Sequence, residues 1–208
     1  MKQKTPELEV VVASYKEPLE WLEWLPKGKG IKHTIYRATD DLLEVREGTI
    51  GPKKIPVIHI PNGGREAGQY LWHIVHNYKT LAKLTVFLQG DAPRHATRKT
   101  LETLTPIRFW DDTRKMAYLN VSKEHDRVWP HELTDLHRSI HDVAWGKNPP
   151  KGGMFSVGAQ MWVTHALIRS NPKSHYETYL KLRQEPHFAH ILESSWHVVF
   201  GAYKDSWE

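Results

Sequence analysis

The chain predicts an α/β fold, a mostly parallel sheet flanked by helices within a single domain. Three observations carry that expectation. Leu8 to Ala13 (LEVVVA) is a β-branched run with no charge after Glu9, as a strand buried on both faces requires. From Glu66 the period changes, and Ala67, Tyr70, Leu71, Ile74, Val75 and Tyr78 mark one buried face of a helix. Leu84 to Leu88 is again a short apolar run, so strand, turn, helix and strand succeed one another in the rhythm of a parallel βαβ unit.

The first strand stops at Ser14-Tyr15-Lys16-Glu17-Pro18, a polar, turn-prone tip, and an aromatic-rich segment follows through Trp24. Pro26 to Gly30 is a loop. His33 to Ala38 alternates as a second strand and ends on Thr39-Asp40-Asp41; Ile55 to Ile60 is a third, closed by Pro61. The glycine-rich turn Asn62-Gly63-Gly64-Arg65 opens the helix, and Gln89-Gly90-Asp91 closes the strand after it. Ala92 to Pro150 reads as an irregular insertion of loops and short helices laid over the sheet, ending in the loop Asn148 to Gly153. Phe155 to Val163 is strand-like around Gly158. Ala166 to Arg169, Pro172 to Leu182 (with Pro172 at a first-turn position) and Phe188 to Phe200 are helical. Residues 1–208 contain no internal repeat and no low-complexity tract, which fits one domain.

Composition narrows the functional classes. With 208 residues, 39% apolar and 25% charged, the chain is expected to be a soluble globular protein. No apolar run approaches the roughly 20 residues of a membrane span, and the polar start Met-Lys-Gln-Lys does not read as a signal peptide. Zero cysteines exclude disulfides, thiolate zinc sites and cysteine nucleophiles, and suit a cytoplasmic protein. A net charge of +5 and a pI near 9.3 favour an anionic ligand or a polyanionic partner.

Few residues are placed to do chemistry. Asp91, just past a buried strand and preceded by Gly90, can reach a hard cation or a substrate hydroxyl; the plainer alternative is a cap on the segment starting at Ala92-Pro93. Glycines before the helix expose backbone N–H groups, and Arg65 adds a forked donor for phosphate or carboxylate. Glu193 and His197, four apart in an apolar segment, would share one helical face as a base and a metal ligand, or simply pair beside Trp196. His137 and His141, with His131 and Glu132 upstream, lack the His-Glu-x-x-His pattern of a zinc site and read as surface histidines. Arg94, His95, Arg98 and Lys99 form a solvated basic face or, being directly after Asp91, a contact for an anion.

Taken in order, these segments resemble nucleotide-sugar glycosyltransferases of the GT-A fold, a Rossmann-like architecture. The resemblance rests on the strand and tip Val10-Val-Val-Ala-Ser-Tyr-Lys-Glu17, on Asn62-Gly-Gly-Arg65 before a helix, and on a strand ending Gln89-Gly-Asp91. A closer resemblance is to a microbial family with blocks GREA-x-x-YL, TVFLQGD, FSVGAQ and WHV-x-FG. They stand here at Gly64 to Leu71, Thr85 to Asp91, Phe155 to Gln160 and Trp196 to Gly201. The GT-A resemblance implies transfer of a sugar from a nucleoside diphosphate to an acceptor hydroxyl with inversion at the sugar carbon. It implies that Ser14, Tyr15 and Glu17 hold the nucleoside, Asp40 or Asp41 the ribose or base edge, and Asn62 and Arg65 the donor. Asp91 would bind Mn²⁺ or Mg²⁺ with His197 as a distant second ligand, Glu193 would be the base, and Phe155, Gly158 and Gln160 would line the acceptor side. The chain departs from the family's Asp-x-Asp motif at Gln89, a neutral amide suited to a ribose hydroxyl but adding no charge to a metal.

The acceptor is open between a saccharide, a lipid-linked glycan and a nucleic acid, and the oligomeric state is open too. Two other classes compete: a metal-dependent hydrolase or phosphotransferase using Asp91, Glu193 and His197, and a nucleic-acid binder. The second is disfavoured because the basic residues are spread among 24 acids instead of forming a stripe.

Overall fold

Nothing in Val10, Val11 or Val12 needs water, and all three are fully buried in the first strand, β1 (Leu8–Ser14). Each contributes about 2 kcal/mol by leaving solvent. β1 lies inside the sheet, parallel to β2 (Ile31–Thr39) on one side and to β5 (Leu84–Gln89) on the other. The computed structural model describes residues 5–104, 108–109, 115–119, 135–146 and 159–202. Among these, the sheet has eight strands: β3 (Arg46–Ile50), β4 (Ile55–Pro61), β6 (Arg108–Phe109), β7 (Met116–Tyr118) and β8 (Met161–Thr164) complete it. Their order is β3-β4-β2-β1-β5-β8-β7-β6, with β4-β2-β1-β5 parallel and the outer pairings antiparallel.

Helices α1 (Arg65–Asn77), α3 (Asp135–Trp145), α5 (Lys173–Lys181) and α6 (Phe188–Phe200) pack together on one side. There Val11, Tyr70, Phe87 and Trp196 join one buried cluster. The opposite face of the sheet carries Val10, Val12, Val86 and Leu88, covered by the 3-10 turn Glu20–Trp24 and by α2 (Arg98–Thr103). A short α4 (His165–Arg169) leads from β8 towards α5.

The α/β class is as expected, and four details differ. The expected third strand is the fourth, because β3 forms an edge hairpin with it. Its residues are mostly exposed, so no buried pattern marks it. The 92–150 insertion is not only cover: Met116 and Ala117 are fully buried in β7, inside the sheet. The strand expected over Phe155 to Val163 is described only from Met161, where it runs antiparallel to β5; Phe155, Gly158 and the Asn148 to Gly153 loop lie outside the described residues. Pro172 takes the N-cap of α5 instead of a position in its first turn.

His141 is also not a surface histidine. It is fully buried on α3, its Nδ1 2.6 Å from Tyr179 Oη and its Nε2 2.9 Å from Ser195 Oγ, and so ties α3 to α5 and α6. The sequence partner His137 shares α3, while His131 and Glu132 lie outside the described residues.

One buried polar network under α1 makes a pH prediction. Glu9, 1% exposed, accepts from Thr34 Oγ1 at 2.6 Å and pairs with Lys32 at 2.8 Å, and His73 Nε2 stands 3.8 Å away. Burial pushes the Glu9 carboxyl up, but His73, Lys32 and Thr34 together hold it below its ordinary value. Burial drives His73 down to about 4, against the pull of Glu9, so His73 is neutral at pH 7 and Lys32 and Thr34 carry the effect on Glu9 there. A histidine with a depressed folded pKa loses stability as pH falls from its unfolded value towards the folded one. Relative to wild type, His73→Gln should therefore gain about 2 kcal/mol between pH 7 and pH 4.5, read from urea unfolding. A difference that does not change with pH would refute this.

Candidate functional site

Parallel strands of matched register end together. Ala13 of β1 pairs with Gln89 of β5, so the tips Ser14 to Glu17 and Gly90 to Asp91 emerge side by side. The chain runs outward from β1 through β2 and β4 on one side and returns through β5 on the other, so the tips open at the switch point where ligands gather in α/β sheets. The turn after β4 brings the N-terminus of α1 over the same spot. The result is a cleft of about 410 Å³ lined by Ser14, Tyr15, Glu17, Asn62, Arg65, Gln89 and Asp91. All seven were expected at the donor or metal site. A second recess, sharing Asn62 and Arg65, holds Asp40 and Asp41.

The cleft walls are fastened by hydrogen bonds that cross between elements. Ser14 N–H donates to Gln69 Oε1 at 3.1 Å and Ser14 Oγ to Tyr36 O at 2.9 Å. Tyr15 N–H donates to Glu17 Oε2 at 2.5 Å, which folds the tip back on itself. Tyr15 Oη donates to Asp40 Oδ2, and Asn62 Nδ2 to Asp40 Oδ1 at 2.8 Å. The hydrogen bonds from Tyr15 and Asn62 hold the Asp40 carboxyl below its ordinary value.

Glycine is required at two places. A Cβ on Gly90 would stand 2.7 Å from Glu17 Oε2 and 3.1 Å from Ser14 Cα, so the bare backbone is what lets the two tips meet. A Cβ on Gly68 would stand 1.8 Å from Gly63 O, because the Asn62 to Gly64 turn lies directly on the first turns of α1. Gly64 and Arg65 both have left-handed backbone, φ 71° and 51°, and Gly64, at the N-cap, has no side chain to cap the helix they open.

Two polar side chains of the cleft were not anticipated, Glu66 and Gln69. Gln69 is 3% exposed and, with Oε1 bonded to Ser14, its NH₂ group is left for the cleft. Glu66 is half-buried; burial, with the charges of Glu193 and Asp91 adding, pushes its carboxyl up to about 7. Tyr70, fully buried, has its phenol pushed well up by burial and by Glu66, Asp91 and Glu193 in turn. The signal was in the sequence: Glu66, Gln69, His73 and Asn77 are polar residues at helical spacing on a face that packs on the sheet.

Asp91 is no side-chain cap, since the turn Ala92–Arg94 receives no such bond from it. Its carboxylate lies 3.7 Å from Arg94 and 3.9 Å from His95, so part of the expected basic face turns to the site; Arg98 instead pairs with Glu102 at 2.7 Å. Gln89 lines the cleft, and its Oε1 is a buried acceptor without a hydrogen-bond partner among the described residues, one that a ligand hydroxyl could satisfy. Gln160 is fully buried and donates from Nε2 to Ala92 O at 3.3 Å, which anchors the segment after Asp91.

Glu193 and His197 do not share one continuous helical face, because α6 kinks at Ser195 (φ −139°, ψ 23°) between them. Glu193 is half-buried with His190 Nδ1 3.8 Å away, and His197 is buried in the last turns. Among the described residues, no group of three or more His, Asp or Glu side chains is arranged to hold a metal by itself. What the cleft does offer is Glu17, Glu66 and Asp91 against the guanidinium of Arg65. An anionic ligand there needs added positive charge, and Asp91 fits a cation whose other ligands come from that ligand.

No helix among the described residues is long and apolar enough to cross a membrane. The model of a family described as a protein of unknown function, DUF3431, matches residues 10–206. No curated protein matches the chain.

Proposed function

We propose that this chain, which belongs to the DUF3431 family, is a glycosyltransferase that moves a sugar from a nucleoside diphosphate donor to an acceptor hydroxyl. The observation that carries this reading is the convergence of Ser14, Tyr15, Glu17, Asn62, Arg65, Gln89 and Asp91, drawn from three separate stretches of sequence, on one cleft at the switch point.

The nucleoside lies along the Tyr15 and Asp40 wall, with Gln89 Oε1 accepting from a ribose hydroxyl. Arg65, at the N-terminus of α1, faces the diphosphate. Asp91 would hold a Mn²⁺ or Mg²⁺ ion, which would supply positive charge against the departing diphosphate. Arg65 keeps the diphosphate in line.

The test is calorimetric titration of UDP, GDP, CDP and ADP, each with and without Mn²⁺, on wild type and on Asp91→Ala. One nucleotide should bind, with Mn²⁺ strengthening it, and the variant should lose roughly tenfold or more in affinity, about 1.4 kcal/mol. If no nucleoside diphosphate binds under either condition, the donor assignment is wrong, and phosphate-ester hydrolysis becomes the next activity to assay.

A further inference from the structure

A third recess, of about 340 Å³, stands against the cleft and shares Glu17, Gly90 and Asp91 with it as a common wall. Its remaining lining is Pro18, Trp21, Pro93 and Arg94. The chemistry of the two spaces differs. The cleft is lined mainly by polar side chains, whereas the recess sets two exposed proline rings and the edge of the buried Trp21 indole beside two carboxylates and a guanidinium. An apolar lining of two proline rings and an indole edge, with carboxylate acceptors and a forked donor at its margin, suits a pyranose ring, which has one C–H face and a rim of hydroxyls.

The recess is built, not incidental. Trp21 Nε1 donates to Gly90 O at 2.7 Å, which locks the indole to the β5 tip. Arg37 donates to Glu17 O at 3.0 Å, and Tyr15 N–H fixes Glu17 Oε2, so Oε1 is the oxygen left for a ligand. Gly90 has no Cβ that would push Glu17 out of the shared wall.

Resting on the glycosyltransferase reading, we infer that this recess is the acceptor site, that it takes a neutral saccharide, and that Glu17 on the shared wall is the base. The acceptor hydroxyl gives its proton to Glu17 Oε1 as its oxygen bonds to the anomeric carbon. The bond from that carbon to the diphosphate oxygen breaks, and its electron pair leaves with the diphosphate. The geometric reason for Glu17 over Glu193 is that Glu17 borders both spaces, whereas neither is lined by Glu193.

The test follows two signals in ¹H–¹⁵N spectra of the full chain: the Trp21 indole N–H, assigned through its contact with Gly90, and the Gln69 side-chain amide in the cleft. The probes are UDP and the methyl glycosides of glucose, galactose and mannose, taken to about 50 mM, well above the ~1 mM scale of weak binding. At least one glycoside should shift the Trp21 signal saturably without moving Gln69, and Arg94→Ala, a change at an exposed side chain, should weaken that effect about tenfold. If no glycoside moves Trp21, if the glycosides move Gln69 instead, or if Arg94→Ala changes nothing, the recess is not the acceptor site. UDP moving Gln69 would leave the donor reading standing in each of those cases, whereas UDP moving neither signal would remove the donor reading itself.

Discussion

Gly68→Ala is expected to destabilise the protein by on the order of 3 kcal/mol and to abolish ligand binding with it. In an ordinary helix interior the same change would help, since alanine is favoured over glycine by about 1 kcal/mol. Here the added methyl would stand 1.8 Å from Gly63 O and 3.0 Å from Gly63 C, and neither atom can rotate away because both are backbone. Relief requires α1 to lift from the turn that carries Asn62 and Arg65, or that turn to move. Gly63 and Gly64 leave little room for the second course, as their own Cβ positions already meet Arg183, Gln184 and Phe188 at 2.6 to 3.2 Å. Strain and site are thus one problem, because the residues that must shift are the ones that line the cleft. Urea unfolding and nucleotide titration of the same sample check both halves. A Gly68→Ala protein as stable as wild type would mean that the turn does not rest on α1 as described.

That glycine shows where the sequence was legible and where it was not. Strands β1 and β5 and helix α1 announce themselves because burial imposes a pattern: unbroken apolar residues when both faces are covered, a helical repeat when one is. The site residues at the strand ends followed, since the ends of buried strands locate the tips. β3 left no trace because an exposed edge strand needs no apolar side. Gly68 reads in isolation as a weak point in a helix, and only the course of the preceding turn explains it. Spacing also misled at Glu193 and His197, where four residues mean one face only if the helix is continuous, and Ser195 breaks it. Glu66 and Gln69 were hidden for the opposite reason. Each is an unremarkable helix residue singly, and only the row formed with His73 and Asn77 distinguishes a polar face turned towards the sheet.

Glu66→Gln should raise stability above pH 7 while impairing the site. Burial and the nearby charges of Glu193 and Asp91 move the Glu66 carboxyl from 4.5 to about 7, so the folded protein holds this proton longer than the unfolded chain does. For a carboxyl whose folded pKa is raised, stability is lost as pH climbs from the unfolded value through the folded one. The full displacement corresponds to about 3 kcal/mol, and water at the open side of the cleft trims it to about 2. Glutamine keeps the shape and cannot ionise, so at pH 8 the variant should be about 2 kcal/mol more stable than wild type, and by pH 4.5 the gain should vanish. The slope runs opposite to that of His73, and over pH 4.5 to 6.5 the two compensate in wild type. A flat wild-type profile is therefore consistent with both, and only the difference between variant and wild type isolates either one. A group that costs stability at its working pH is kept for what it does there. Positive charge arriving on a ligand at Asp91 would favour ionised Glu66, so binding at pH 7 should release part of a proton. Calorimetry in two buffers of different ionisation enthalpy measures that release directly. Wild type should show it and Glu66→Gln should not; equal proton release from both proteins would place the titrating group elsewhere in the cleft.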